Sequence, residues 1–81
     1  MNYDTIFIII IINDRRVIWE EMNIDSTIQD MKNMIFNKYK LKKYYMDVED
    51  EMIYNVNHPL IMYAKPENEN AITIRIFTKR N

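Results

Sequence analysis

Seven apolar residues in a row, Ile6 to Ile12, contrast with an alternating segment near the other end, where Ile72, Ile74 and Ile76 interleave with Thr73, Arg75 and Phe77. The period of two predicts a late strand with one buried face, and the unbroken early run predicts a strand apolar on both faces. A strand of that second kind is central in a sheet or touches a partner. A polar turn, Asn13-Asp14-Arg15-Arg16, leads into a second strand over Val17 to Ile24. There Ile18 and Met22 share one face and Val17 and Trp19 the other. Glu20 and Glu21 interrupt both faces, so alternation alone does not choose the inner side.

Asp25-Ser26-Thr27 opens a helix predicted from Thr27 to about Leu41, with Thr27 and Asp30 at the spacing of a capping box. Its apolar stripe is Ile28, Met31, Ile35 and Tyr39, adjoined by Met34 and Leu41. Lys38 and Lys40 lie near the negative end of the helix dipole. A hairpin followed at once by an amphipathic helix must lay that helix across one of its faces for either to bury anything. Further on, Tyr44, Met46 and Val48 alternate with Tyr45, Asp47 and Glu49 as a third strand, and Met52 to Val56 reads as a short fourth. Asn57-His58-Pro59 is a turn, Leu60 to Tyr63 one helical turn, and Pro66 to Asn70 a loop. No repeat or linker divides the chain. The expectation is one α+β domain over residues 1–81, ordered over about 5–78.

At 81 residues the chain has room for one core and little room for a deep catalytic cleft. The net charge of −1 supplies no global attraction to nucleic acid or to an anionic membrane. Cysteine is absent, which excludes disulfides and thiolate metal sites and fits a reducing cytoplasm or nucleus. The run from Ile6 to Ile12 is too short to span a bilayer and lacks the flanks of a signal peptide, so no membrane contact is expected. Fifteen isoleucines and ten asparagines, against no glycine and two alanines, suggest an A+T-rich coding genome. Residue identity is therefore weaker evidence here than periodicity.

The order strand, strand, helix, strand, short strand, helical turn, strand resembles the ubiquitin-like β-grasp family. The residues that carry the resemblance are Asp25-Ser26-Thr27-Ile28 at the helix start, Met31-Lys32 and Ile35 along it, Leu60 and Tyr63 in the late turn, and Ile72, Ile74 and Ile76 in the last strand. The likeness runs from Ile6 to the C-terminus with a one-residue slip near Leu60. It implies a four- to five-stranded mixed sheet packed on one α-helix, with the last strand beside the first in the middle of the sheet. Conjugated members end in a Gly-Gly tail, and the corresponding residues here are Arg80 and Asn81. Unless the sequence is truncated, the resemblance implies a non-conjugated type. Positions matching the family's recognition patch hold Asn13, Glu49, Thr73 and Arg75, and those matching the main chain-linkage lysines hold Ile53 and Asn68.

In the family register Phe7, Ile9, Ile11, Val17 and Trp19 point away from the helix and form an apolar patch of the kind that marks a protein partner or a second copy of the chain. The competing reading is genome-driven isoleucine content with a register slip that turns Trp19 inward. Arg15 and Arg16 in the first turn, with Arg75, Lys79 and Arg80 late in the chain, are a second candidate, since some ubiquitin-like domains bind RNA through a basic tail. Asp14, Asp47 and Glu49 lie near enough to cancel much of that field, which favours a solvated mixed-charge face. The acidic run Asp47, Glu49, Asp50 and Glu51 lacks the ligand spacing and turn glycine of a calcium loop. His58, the single histidine, reads as a turn residue.

These residues offer no catalytic constellation, metal site or cofactor motif. The expected function is an intracellular, non-enzymatic protein-binding module or adaptor subunit acting through the outer face of the first hairpin. The alternatives are an RNA-binding ubiquitin-like domain and a conjugable modifier whose tail has been truncated.

Overall fold

A chain without glycine must place its left-handed turn positions on other residues, and short polar side chains tolerate them best. Asn13 and Asp14 have φ of 52° and 56°, and the Arg15 N–H closes their turn on the Ile12 carbonyl at 3.0 Å. This tight reversal joins β1 (Thr5–Ile12) to β2 (Arg16–Asn23), which pair antiparallel without a bulge from Thr5–Asn23 to Ile12–Arg16. The computed structural model describes residues 4–52, 54–65, 67 and 70–78.

Helix α1 (Ile28–Tyr39) begins with the expected capping box. Thr27 Oγ1 accepts the Asp30 N–H at 3.1 Å, and Asp30 Oδ2 accepts the Thr27 N–H at 3.0 Å. The N–H groups of Ile28 and Gln29 are taken by the carbonyls of His58 and Val56, so a loop distant in sequence completes the cap. The helix ends at Tyr39, two residues before the expected Leu41, because Lys40 adopts φ 59° and donates its N–H to the Phe36 carbonyl.

β3 (Tyr44–Val48) turns back at Glu49 and Asp50, with φ of 50° and 68°, and Val48 and Glu51 exchange both backbone hydrogen bonds across that turn. The pairing ends there. Met52 is exposed, and the described part of Met52 to Val56 forms no strand, which corrects the short fourth strand expected from its apolar residues. A 3₁₀ turn over Leu60–Tyr63 drops Leu60 into the core, held by its N–H to the Ser26 carbonyl at 2.8 Å. β4 (Ala71–Thr78) then runs parallel to β1 and antiparallel to β3.

The resulting sheet is mixed and four-stranded, in the order β2-β1-β4-β3, with α1 across one face. The core lies between them. Ile6, Ile8 and Ile10 from β1, Ile72, Ile74 and Ile76 from β4, and Met46 and Val48 from β3 meet Ile28, Met31 and Ile35 of α1. Every strand except β2 contributes fully buried side chains to this layer, and β2 supplies its half-buried Ile18 and Met22.

Candidate functional site

Strand pairing settles which way β2 faces, a question its own alternation left open. Ile8 lies opposite Glu20 and Ile10 opposite Ile18, so Ile18, Glu20 and Met22 share the helix side with the core residues of β1. Glu20 is tolerated there because two helix residues come down to meet it. Lys38 Nζ lies 2.8 Å from Glu20 Oε1, and the Tyr39 hydroxyl donates to Oε2. The Arg16 guanidinium sits 5.7 Å from the centre of the Tyr39 ring and adds a further cation at this margin.

The hydrogen bond from Lys38, then that from Tyr39, holds the Glu20 carboxyl below its ordinary value. Glu20 in turn holds the Lys38 ammonium and the Tyr39 hydroxyl above theirs. Each shift favours the protonation state that keeps the contact. Sequence reasoning missed this cluster because its members lie eighteen and nineteen residues apart.

With the even positions committed inward, Val17 and Trp19 face outward. Trp19 is 64% exposed and Val17 56% exposed, which removes the alternative in which a register slip buries the tryptophan. On β1 the outward positions are Phe7, 38% exposed, and the half-buried Ile9 and Ile11. Cross-strand register joins four of the five: Ile9 lies opposite Trp19 and Ile11 opposite Val17. Glu21 lies opposite Phe7 and closes one corner with charge. Across β1 the neighbours on β4 are Ala71, Thr73 and Arg75, so the apolar band is bounded on that side by a small and a polar row.

Beyond that row Phe77 and exposed Tyr45 lie opposite each other and make a second, smaller apolar spot. Both alternate with the buried residues of their strands. The signal was present in the alternation, but only the β3–β4 register brings them together.

The basic residues do not assemble in the same way. Arg75 is exposed on the outer face opposite Asp47 and Ile11, whereas Arg16 turns to the helix face over Tyr39. Arg15 is exposed in the turn, and Lys79 and Arg80 lie outside the described residues. The positions that match the family's recognition patch are partly used for tying strand ends together. Asn13 accepts the Thr78 N–H at 3.0 Å and donates to the Thr78 hydroxyl at 2.8 Å. Glu49 Oε2 accepts the Thr73 N–H at 2.6 Å, with Lys65 3.8 Å from its other oxygen. Ile53 and Asn68 lie outside the described residues.

His58 Nδ1 is 3.0 Å from the Tyr63 hydroxyl, which also accepts the Asn55 N–H, so the histidine ties the loop to the 3₁₀ turn. Among the described residues no three His, Cys, Asp or Glu side chains gather where they would hold a metal ion. No helix among them is long and apolar enough to cross a membrane.

A protein designed on the basis of ubiquitin superposes with a TM-score of 0.67 at 12% identity, over 99% of this chain and 95% of that one. The C-terminal ubiquitin-like domain of mouse tubulin-specific chaperone e superposes with a TM-score of 0.65 at 14% identity, over 96% and 90%. The fold is ubiquitin-like. A third ubiquitin-like neighbour, from a structure of molecular mimicry of SUMO that promotes DNA repair, gives 0.62 at 13% identity, over 91% of this chain and 94% of that one. No family model and no curated protein matches the sequence. The likeness to these ubiquitin-like domains is therefore one of architecture, and this chain's surface must be read from its own residues.

Proposed function

We propose that this ubiquitin-like domain is a non-conjugated, non-enzymatic protein-binding module or adaptor subunit that works through the outer face of its first hairpin. The observation that supports this most is the row-by-row pairing of Trp19 with Ile9 and Val17 with Ile11 on a solvent-facing sheet surface, continued by Phe7. A solvent-facing tryptophan with four apolar neighbours provides the large, rigid contact area on which protein interfaces concentrate their energy. A ubiquitin-like domain of a tubulin-specific chaperone, one of the structural neighbours, is an example of such a fold within a protein named for another activity.

The residues at the recognition-patch positions support a partner other than the receptors that bind that patch in the family. Asn13 and Glu49 spend their side chains on Thr78 and Thr73, and Arg75 is charged, so a receptor that buries an apolar patch there meets polar groups it cannot satisfy. The test is a double change, Trp19→Ala with Ile9→Glu. It is expected to abolish partner capture or self-association while the circular dichroism spectrum stays that of the folded domain. An unchanged capture profile together with an unchanged hydrodynamic size would overturn the proposal.

A further inference from the structure

The open edge of β2 carries a charge pattern that is its own complement. β2 is terminal in the sheet, and no described strand pairs with its outer side. On β1 the Phe7 N–H goes to the Asn70 carbonyl and the Asn13 N–H to the Ile76 carbonyl, both at 2.8 Å. The odd-numbered residues of β1 therefore turn their backbone groups to β4 and the even-numbered ones to β2. The even residues of β1 face Arg16, Ile18, Glu20 and Met22. It follows that Val17, Trp19 and Glu21 direct their N–H and C=O groups at the unpaired edge.

Proteins usually blunt such an edge with proline, with central lysines or with a bulge. β2 has no proline, lysine or bulge over its eight residues, its inward-pointing Glu20 is paired with Lys38, and it is longer than the opposite edge strand, β3, which has five.

Residues 15–21 read Arg-Arg-Val-Ile-Trp-Glu-Glu, two cations, three apolar residues and two anions. We propose that β2 pairs antiparallel with β2 of a second copy about a two-fold axis at Ile18. The pleat allows only registers that set odd residues against odd, because a one-residue slip would put each side chain on the wrong face. With Ile18 on Ile18, Val17 faces Trp19, Arg16 comes beside Glu20, whose oxygens already hold Lys38 and Tyr39, and Arg15, in the turn just before β2, comes level with Glu21, each pair occurring twice by symmetry. The registers on either side lose this match. Centring on Trp19 sets Val17 against Glu21 and Ile18 against Glu20, and centring on Val17 sets Trp19 against Arg15 and Glu20 against Asp14. Charge therefore selects one register out of three.

In that register the open backbone groups of Val17 and Trp19 bond across the axis, and the two copies form one eight-stranded sheet. Their outward Val17 and Trp19 side chains merge the two apolar bands into one. The inference names one partner for the hairpin and rests on the reading above for Val17 and Trp19; it adds the edge, the register and the identity of the occupant.

Sedimentation over a range of concentrations tests the pairing with single charge reversals of two exposed residues. The natural chain is expected to dimerise. Arg15→Glu and Glu21→Arg, each alone, are expected to weaken the dimer by about tenfold, because two attractive contacts become two repulsive ones. An equimolar mixture of the two variants is expected to recover the natural affinity as a heterodimer, since every opposed pair is then again of opposite sign.

Val17→Pro removes an edge donor that the β1–β2 ladder does not use, and it is expected to leave a folded monomer. If that variant does not fold, the charge swap still decides. Lys43→Glu, an exposed charge reversal beside β3 at the opposite edge of the sheet, is expected to leave the dimer affinity unchanged. A natural chain that is monomeric throughout, or reversals that neither weaken dimerisation nor recover on mixing, would overturn the edge pairing and leave the face reading to its own capture test. Self-association lost in Ile9→Glu and kept in both reversals would also overturn the edge pairing, while supporting the face.

Discussion

The two faces of β1 have nearly the same composition and opposite fates. Ile6, Ile8 and Ile10 point to the helix and are at most 1% exposed, packed among Ile72, Ile74, Ile76 and the stripe of α1. Phe7, Ile9 and Ile11 point the other way, where nothing in the described chain covers them and only their strand neighbours shield them. Hydrophobicity thus did not decide which residues formed the core. The helix decided it, by capping at Thr27 and lying across the even-numbered face. A strand that a globular fold would satisfy with one apolar face has two, and the second contributes far less to the stability of the isolated domain.

The largest effect expected from this difference comes from truncating neighbours on β1. Ile10→Ala should cost about 2–5 kcal/mol, because it removes buried methylenes and leaves a cavity in a closed layer. Ile9→Ala should cost about 1 kcal/mol or less, since its site is open to water on one side. Urea unfolding midpoints of the two variants check this, and equal losses would break the distinction between the faces.

An intermediate effect is expected at the device that seats the helix. Thr27→Ala leaves the Asp30 N–H without its acceptor and should cost about 0.5–2 kcal/mol. Heat or urea unfolding reads that loss. The solvent accessibility of Trp19, measured by quenching in the folded state, should not change, because the cap supports the inner face only.

The smallest effect concerns the margin of the inner face, where Glu20 meets Lys38 and Tyr39. The folded-state pKa of Glu20 lies below its ordinary value of 4.5, so its contribution to stability is whole above about pH 4.5 and is lost as pH falls through the folded value. The stability difference between the natural chain and Glu20→Gln should be constant from neutrality down to that pH and shrink below it. Lys38 and Tyr39 are shifted upward, so their part is whole below their ordinary values and is lost as pH rises through the folded ones. A difference that grows in acid would contradict the ion pair as the source.

Some of this was legible in the residues and some was not, for reasons that are local or long-range. The capping box at Thr27 and Asp30, the stripe of Ile28, Met31 and Ile35, and the alternation of Ile72, Ile74 and Ile76 are local patterns, and the structure contains each of them. Strand order was not local. It entered through a resemblance to ubiquitin-like domains, and the β2-β1-β4-β3 order agrees with it.

The inward side of β2 was unreadable from β2 itself, because the pairing with β1 fixes it and the partners that accommodate Glu20 there, Lys38 and Tyr39, are distant in sequence. The same holds for Phe77 and Tyr45, whose contact exists only in the β3–β4 register. Apolar residues in Met52 to Val56 suggested a strand. The left-handed pair Glu49 and Asp50 turned the chain back, and the strand pairing ended at the Val48–Glu51 bridge.

The central claim is that Trp19 stands on an open face until another chain covers it, and the protein's single tryptophan makes this directly measurable. In dilute solution its fluorescence should be red and fully accessible to a small neutral quencher. As a partner or a second copy is added, the emission should move to the blue and the quenching should fall. A blue, quencher-resistant emission in the dilute, folded chain would place Trp19 in the core and contradict the account.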